Sequence, residues 1–263
     1  MNTSPSPFTT HRESFANDLV VRFEEHGSGR PMLVLHGGGG PQTVLGLVRS
    51  LSEQAHVLVP THPGFEGEPR PEHFASIGDL ALTYLELLAR LDLREVIVIG
   101  SSIGGWIAAE MAVRDASRLS GIILIDAVGI QVDNQPITDV FSLAPQELTA
   151  LSFHNPAALP TAPATMTSEQ LAIRAGNFQA LKVYDQGQGM ADPTLRDRLA
   201  RVELPVLVVW GESDRVATPD YGRAYARSFP HARFELITEA GHLPQIEQPT
   251  RLHALVSQFA LEH

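Results

Sequence analysis

A chain of 263 residues with 43% apolar composition is long enough for one large α/β domain with a sizeable core. Its net charge of −11 argues against a nucleic-acid or anionic-membrane partner. The absence of cysteine excludes disulfide and thiol chemistry and fits a reducing, cytoplasmic setting.

Residues 1–20 are polar and interrupted by Pro5 and Pro7, without the apolar core of a signal peptide. No apolar run approaches the ~18 residues of a membrane span. Residues 19–25 alternate weakly and are expected to form an early antiparallel edge strand. Apolar runs follow at 32–35, 57–59, 96–99, 122–125 and 206–209, with a further strand expected at 234–237. They are continuous rather than alternating, as parallel strands buried on both faces require. Helical patterns lie between them. Ser76 with Asp79 makes a capping-box start, and Leu80, Tyr84, Leu87, Leu88 and Leu91 form one face. Pro249 opens a last helix carrying Leu252, Leu255, Val256 and Phe259. This alternation predicts an α/β protein with a doubly wound, mostly parallel sheet.

The alternation breaks after Ile125. Residues 128–201 show no clear strand, only helical pieces at 145–151 and 168–184. Proline joints separate them at Asn155-Pro156, Leu159-Pro160 and Ala162-Pro163. The segment is expected to be a helical lid inserted in a core of residues 1–127 and 202–260. Residues 261–263 read as a tag remnant.

The chemistry is expected at Gly100-Ser101-Ser102-Ile103-Gly104. These residues follow the run at 96–99 and open a helical pattern over 103–114. Strand, sharp turn and helix with serine at the apex expose the Ser102 hydroxyl beside a helix N-terminus. A base and a group to orient it are then needed. Asp214 and His242 each lie in a loop after a strand, at 210–214 and 239–242. In an open α/β sheet such loops share one rim. The order nucleophile, acid, base is that of the serine elbow proteins. Asp126, ending the run at 122–125, is a rival acid. The glycine run Gly37-Gly38-Gly39-Gly40 after His36 lets backbone N–H groups approach a substrate. Gly38 and Gly39, with Ile103, are the candidate oxyanion donors. His36 reads as a structural hydrogen-bonder and His62 as a turn residue near the cleft mouth. No metal-ligand spacing or dinucleotide fingerprint is present, so no metal or cofactor is expected.

Together these motifs resemble the α/β-hydrolase superfamily over nearly the whole chain. The resemblance rests on His36 to Gly39, Pro63-Gly64-Phe65, residues 100–105, Gly211 to Asp214, and Gly241-His242. The run 241–249 is similar to esterase and epoxide-hydrolase-like members. Serine at 102 separates the chain from members that use a carboxylate nucleophile. A narrower resemblance is to carbon–carbon bond hydrolases of ring-fission products, which carry an arginine in the lid. Residues 166–174 are similar to that segment, and Arg174 shares a helical face with Leu171, Phe178 and Leu181. Such a cation can grip a carboxylate or enolate. Those relatives have tryptophan after the histidine, whereas this chain has Leu243. Trp106, Phe141, Phe153 and Val216 are further candidates for the substrate pocket.

The expected function is a serine hydrolase acting on a small to medium carboxylic ester. The alternatives are C–C bond hydrolysis of a vinylogous diketo acid and a slow-turnover ligand receptor on the same fold. A small-molecule substrate is the expected partner, with no nucleic acid and no membrane.

Overall fold

The computed structural model describes residues 8–158 and 166–263. The expected proline joints at Leu159-Pro160 and Ala162-Pro163, and Pro5 and Pro7, lie outside the described residues. The strands are β1 (Phe8–Ser14), β2 (Val20–Gly27), β3 (Arg30–Leu35), β4 (Ala55–Pro60), β5 (Val96–Ser101), β6 (Leu119–Ile125), β7 (Gly129–Ile130), β8 (Ala191–Asp192), β9 (Val206–Gly211) and β10 (Ala232–Ile237). The helices are α1 (Leu45–Leu51), α2 (Ile77–Arg90), α3 (Ile103–Arg114), α4 (Pro145–Ser152), α5 (Ser168–Asp185), α6 (Leu195–Leu199), α7 (Pro219–Ala226), α8 (Pro244–Glu247) and α9 (Pro249–Glu262).

Among the described residues, eight strands form one sheet in the order β1-β2-β4-β3-β5-β6-β9-β10. From β4 to β10 every pairing is parallel; β2 runs antiparallel to both β1 and β4. Alternate residues of the central strands enter opposite cores, as the period of two dictates. Val98, Leu124, Val208 and Trp210 pack on the side of α2, α3 and α7. Ile97, Ile99, Ile123, Ile125, Leu207 and Val209 pack on the side of α1 and α9. Both faces of β5, β6 and β9 are therefore covered, which explains their unbroken apolar runs. The expected capping box of α2 is present, with Ser76 Oγ accepting from the Asp79 N–H at 3.1 Å. Pro249 opens α9 as expected, and that helix continues through Leu261 to Glu262.

Two expectations are corrected. Residues 20–25 belong to β2, which is antiparallel as expected but is not the edge; β1 covers it. β1 has no buried residue, so it shows no hydrophobic period. It is held by the backbone ladder to β2 and by stacking of His11 on Phe23 at 5.0 Å. The segment between β6 and β9 is not free of strand either. Gly129–Ile130 and Ala191–Asp192 form a two-residue parallel pair, too short to carry a sequence period. The rest of that segment follows the predicted helices closely, as α4 and α5, with α6 added.

Candidate active site

The strand order itself makes the cleft. From β3 the chain turns toward β4, on one side; from β5 it turns toward β6, on the other. The loops after β3 and β5 therefore diverge and leave a crevice at the carboxyl edge of the sheet. Register keeps the strand ends level: Leu35 faces Gly100, Ser101 faces Ile125, Ile125 faces Val209 and Gly211 faces Ile237. The glycine loop, Ser102, Asp126, Asp214 and His242 all leave that one rim.

Ser102 sits at φ 55°, ψ −118°, between β5 and α3. Non-glycine residues rarely adopt this conformation, and it marks a strained turn. The neighbours permit it. A Cβ on Gly100 would overlap the Gly104 carbonyl, and a Cβ on Gly104 would overlap the Leu35 carbonyl. Both glycines of the motif are thus required by close backbone approach, as the spacing suggested. Ile103 is the first residue of α3, so its N–H has no intrahelical acceptor and is open to a substrate oxygen.

His242 Nε2 lies 3.0 Å from Ser102 Oγ, and His242 Nδ1 lies 2.8 Å from Asp214 Oδ2. Asp214 is 2% exposed. Its other oxygen accepts the Val216 N–H at 2.8 Å and the Ala217 N–H at 3.2 Å. The His242 backbone N–H donates to the Ser152 carbonyl at 2.7 Å, at the end of α4. Glu247 accepts the Gly241 N–H at 2.7 Å, the His154 N–H at 3.0 Å and the Asn155 N–H at 2.9 Å. One carboxylate thereby ties the histidine loop to the segment after α4. Asp126 does not take the imidazole. Its Oδ1 accepts the Gly211 N–H at 2.8 Å.

The glycine loop packs on the serine turn, a Cβ on Gly37 falling 3.2 Å from Ser102 Cβ. Two donors hold the Gly37 carbonyl: His36 Nδ1 at 2.7 Å and the Gly40 N–H at 3.1 Å. In a trans peptide the N–H points opposite to the C=O, so this fixes the direction of the Gly38 N–H. His62 is not at the cleft mouth but fully buried, its ring stacked on His36 with centroids 3.7 Å apart. The network sets every proton. His36 Nε2 accepts the His62 N–H at 3.1 Å, so the proton of His36 is on Nδ1. His62 Nε2 donates to the His36 carbonyl at 3.0 Å, so Nδ1 accepts from the Tyr84 hydroxyl at 2.5 Å.

Burial lowers His36 to about 4 and, helped by His36, holds His62 well below the usual imidazole range. An unfolded imidazole takes up its proton near pH ~6.5, but folded His36 does so only near 4. Stability from His36 is therefore complete above the unfolded value and lost as pH falls toward the folded one. The stability advantage of wild type over His36→Asn should shrink by ~3 kcal/mol between pH ~6.5 and ~4. Denaturant unfolding at both pH values reads this, and an advantage constant with pH would show that His36 is not held neutral.

The candidate substrate residues are spread more widely. Leu181 of α5 closes over the glycine loop, and a Cβ on Gly38 would fall 2.7 Å from Leu181 Cδ2. Phe141 and Phe178 pack edge to face at 5.4 Å. Trp106 is 3% exposed and packs on Gly129 in the core between α3 and β7. Phe153 lies half-buried against Gly241, Val216 is buried beside Asp214, and Leu243 is half-buried directly after His242. Arg174 is half-buried on α5, two turns before Leu181. The expected apolar stripe on that helix is graded: Leu171 is 47% exposed, and burial begins at Asn177. Asn177 Oδ1 accepts the Glu66 N–H at 2.8 Å and its Nδ2 donates to Glu66 Oε1 at 2.8 Å, which docks α5 on the turn after β4.

Among the described residues, Asp126, Asp214 and His242 form the one group of three or more His, Asp or Glu side chains whose ligand-type atoms all lie within 4.8 Å of one another. Both His242 nitrogens are engaged, by Asp214 and Ser102, so the cluster is a hydrogen-bonded relay rather than an open ligand set. Among the described residues, no helix is long and apolar enough to cross a membrane.

This architecture is shared. The chain belongs to the alpha/beta hydrolase family, whose model matches residues 32–255. It is a hydrolase enzyme of that family, with hydrolases and lipases among its relatives. A 2-hydroxymuconate semialdehyde hydrolase of Pseudomonas putida is 27% identical over 95% of this chain and 94% of its own. Lipase 3 of Moraxella sp. strain TA144 is 23% identical over 87% of this chain and 76% of its own. A solved structure of a thermophilic esterase from Thermogutta terrifontis superimposes with a TM-score of 0.77, at 23% identity, over 97% of this chain and 98% of that one.

Proposed function

We propose that the protein is a serine hydrolase that cleaves a small to medium carboxylic ester through Ser102, His242 and Asp214. The observation that carries this reading is the continuous chain from Ser102 Oγ to His242 Nε2, at 3.0 Å, and from His242 Nδ1 to Asp214, at 2.8 Å. Ser102 attacks the ester carbonyl while His242 takes its proton. Asp214, already accepting two backbone N–H groups, holds the imidazole in the right tautomer and stabilises its positive charge. Negative charge on the carbonyl oxygen is met by the N–H groups of Gly38 and Ile103, with Gly39 the alternative, each worth about 3–4 kcal/mol. His242 returns the proton to the leaving alcohol, and water releases the acid from Ser102 in the reverse sense. Residues 128–201 serve as a lid, with Leu181 as its contact over the glycine loop.

A second reading, C–C bond hydrolysis of a vinylogous diketo acid, is favoured by one feature. Arg174 lies half-buried on the helix that closes over the glycine loop. If it holds a keto-acid carboxylate, its charge-assisted hydrogen bonds contribute about 1.5–3 kcal/mol. Arg174→Ala then lowers kcat/KM by about 10–150-fold for a ring-fission keto acid and leaves neutral esters little affected. Leu243 in place of the aromatic residue of the C–C hydrolases supports the ester reading. Paired kinetics on wild type and Arg174→Ala, with esters of graded acyl length and one ring-fission substrate, separate the two. Efficient turnover of the keto acid with selective loss in the variant overturns the ester assignment.

A further inference from the structure

Asp126 is a buried acidic group beside Asp214 and His242 that the mechanism does not use. It is wholly inaccessible, at φ 44°, immediately after β6, and its backbone N–H is tied to the Val209 carbonyl at 3.0 Å. One of its oxygens lies within 4.8 Å of both an Asp214 oxygen and a His242 ring nitrogen. The two neighbouring carboxyls are provided for very differently. Asp214 receives three hydrogen bonds, from Val216, Ala217 and His242. Asp126 receives one, from Gly211 on Oδ1, and its buried Oδ2 has no donor among the described residues.

We propose that Asp126 is a positioning residue held as a neutral carboxylic acid, whose Oδ2–H donates to the Asp214 carboxylate and fixes it for His242. This rests on the triad reading above. The donor inventory supports the assignment. An ionised carboxylate only accepts, and a buried one without donors is costly. A protonated one supplies the single donor that this pair lacks. Two adjacent buried carboxylates do not both ionise without large cost, and the member with more hydrogen-bond donors keeps the charge. Burial, and after it the Asp214 charge, push Asp126 well above the usual carboxylate range. The titratable groups set against it are Asp214, His242 and Glu247, and no cation contributes to its shift. Among residues with a side chain, Asp and Asn tolerate its left-handed backbone best, which suits a residue that must place this group at this point.

The test compares wild type with Asp126→Asn, which keeps the shape, the backbone tolerance and a donor. Near neutral pH exposed carboxyls are ionised, so the infrared carbonyl band of a protonated carboxyl should appear in wild type and vanish in the variant. The acid limb of the kcat/KM profile should stay in place, because a neutral group replaces a neutral group. Were Asp126 an anion, its removal would lower that limb by about 1–3 pH units, the effect of a like-sized charge within ~4–6 Å. No protonated-carboxyl band, or such a downward shift, overturns the proposal. Asp126→Ala, which removes the donor, should lose activity that Asp126→Asn retains; equal loss in both variants also overturns it. The infrared band does not depend on turnover. If Ser102 proved dispensable, the triad reading would fail while the protonation state of Asp126 was still decided.

Discussion

Ser102→Ala is expected to lower kcat by about 10⁴–10⁶-fold while leaving the fold intact, and His242→Ala to do the same. The size follows from the geometry. Ser102 Oγ and His242 Nε2 are hydrogen-bonded at 3.0 Å, so in the proposed mechanism either loss removes the nucleophile or the base that activates it. Members of such a unit are not additive, because each is useless without the other. Residual rate would come from the N–H groups of Gly38 and Ile103 and from substrate binding alone. The fold should survive, since Ser102 already holds a strained φ of 55° and alanine bears the same strain. Steady-state kinetics with a thermal melt on each variant checks both parts. A variant that melts as wild type yet keeps more than a tenth of the activity would remove that residue from the mechanism.

The second large effect is expected at the acid. Asp214→Asn should cost on the order of 10³–10⁴ in kcat, because an amide donating to Nδ1 favours the wrong imidazole tautomer. Val216 and Ala217 donate to one carboxylate oxygen of Asp214 and His242 to the other. Asparagine keeps one acceptor oxygen and turns the other into a donor, so one side of this arrangement must break. Asp126→Asn should cost far less, as Asp126 meets the Gly211 N–H and not the imidazole. Parallel kinetics on the two variants decides it. A larger loss at Asp126 would move the acid to the end of β6.

Much of this site is legible in the sequence because each component follows a buried strand. Continuous apolar runs locate β3, β4, β5, β6 and β9, the stretch Phe234–Ile237 reads as β10, and the residues just past them can be placed on one rim without coordinates. Ser102, Asp214 and His242 come together in that way. The relation between Asp126 and Asp214 is harder. It depends on Ile125 facing Val209 across β6 and β9, a register that no local pattern states. The place of His62 depends on register in the same way. A histidine before proline and glycine looks like a solvated turn. Only the β3–β4 register, with Leu33 opposite Leu58, brings it level with His36 and beneath α2. Glu247 had no local signal, because it acts on backbone N–H groups from residues far away in sequence. β1 and the β7–β8 pair escaped because backbone pairing, not side-chain burial, forms them.

The central claim is that Ser102 becomes covalently acylated. Reaction with an active-site fluorophosphonate, followed by peptide mass mapping, tests it most directly. The adduct is predicted on Ser102 alone, and Ser102→Ala should take up no label. Labelling that survives Ser102→Ala, or that maps to another residue while activity is lost, would contradict it.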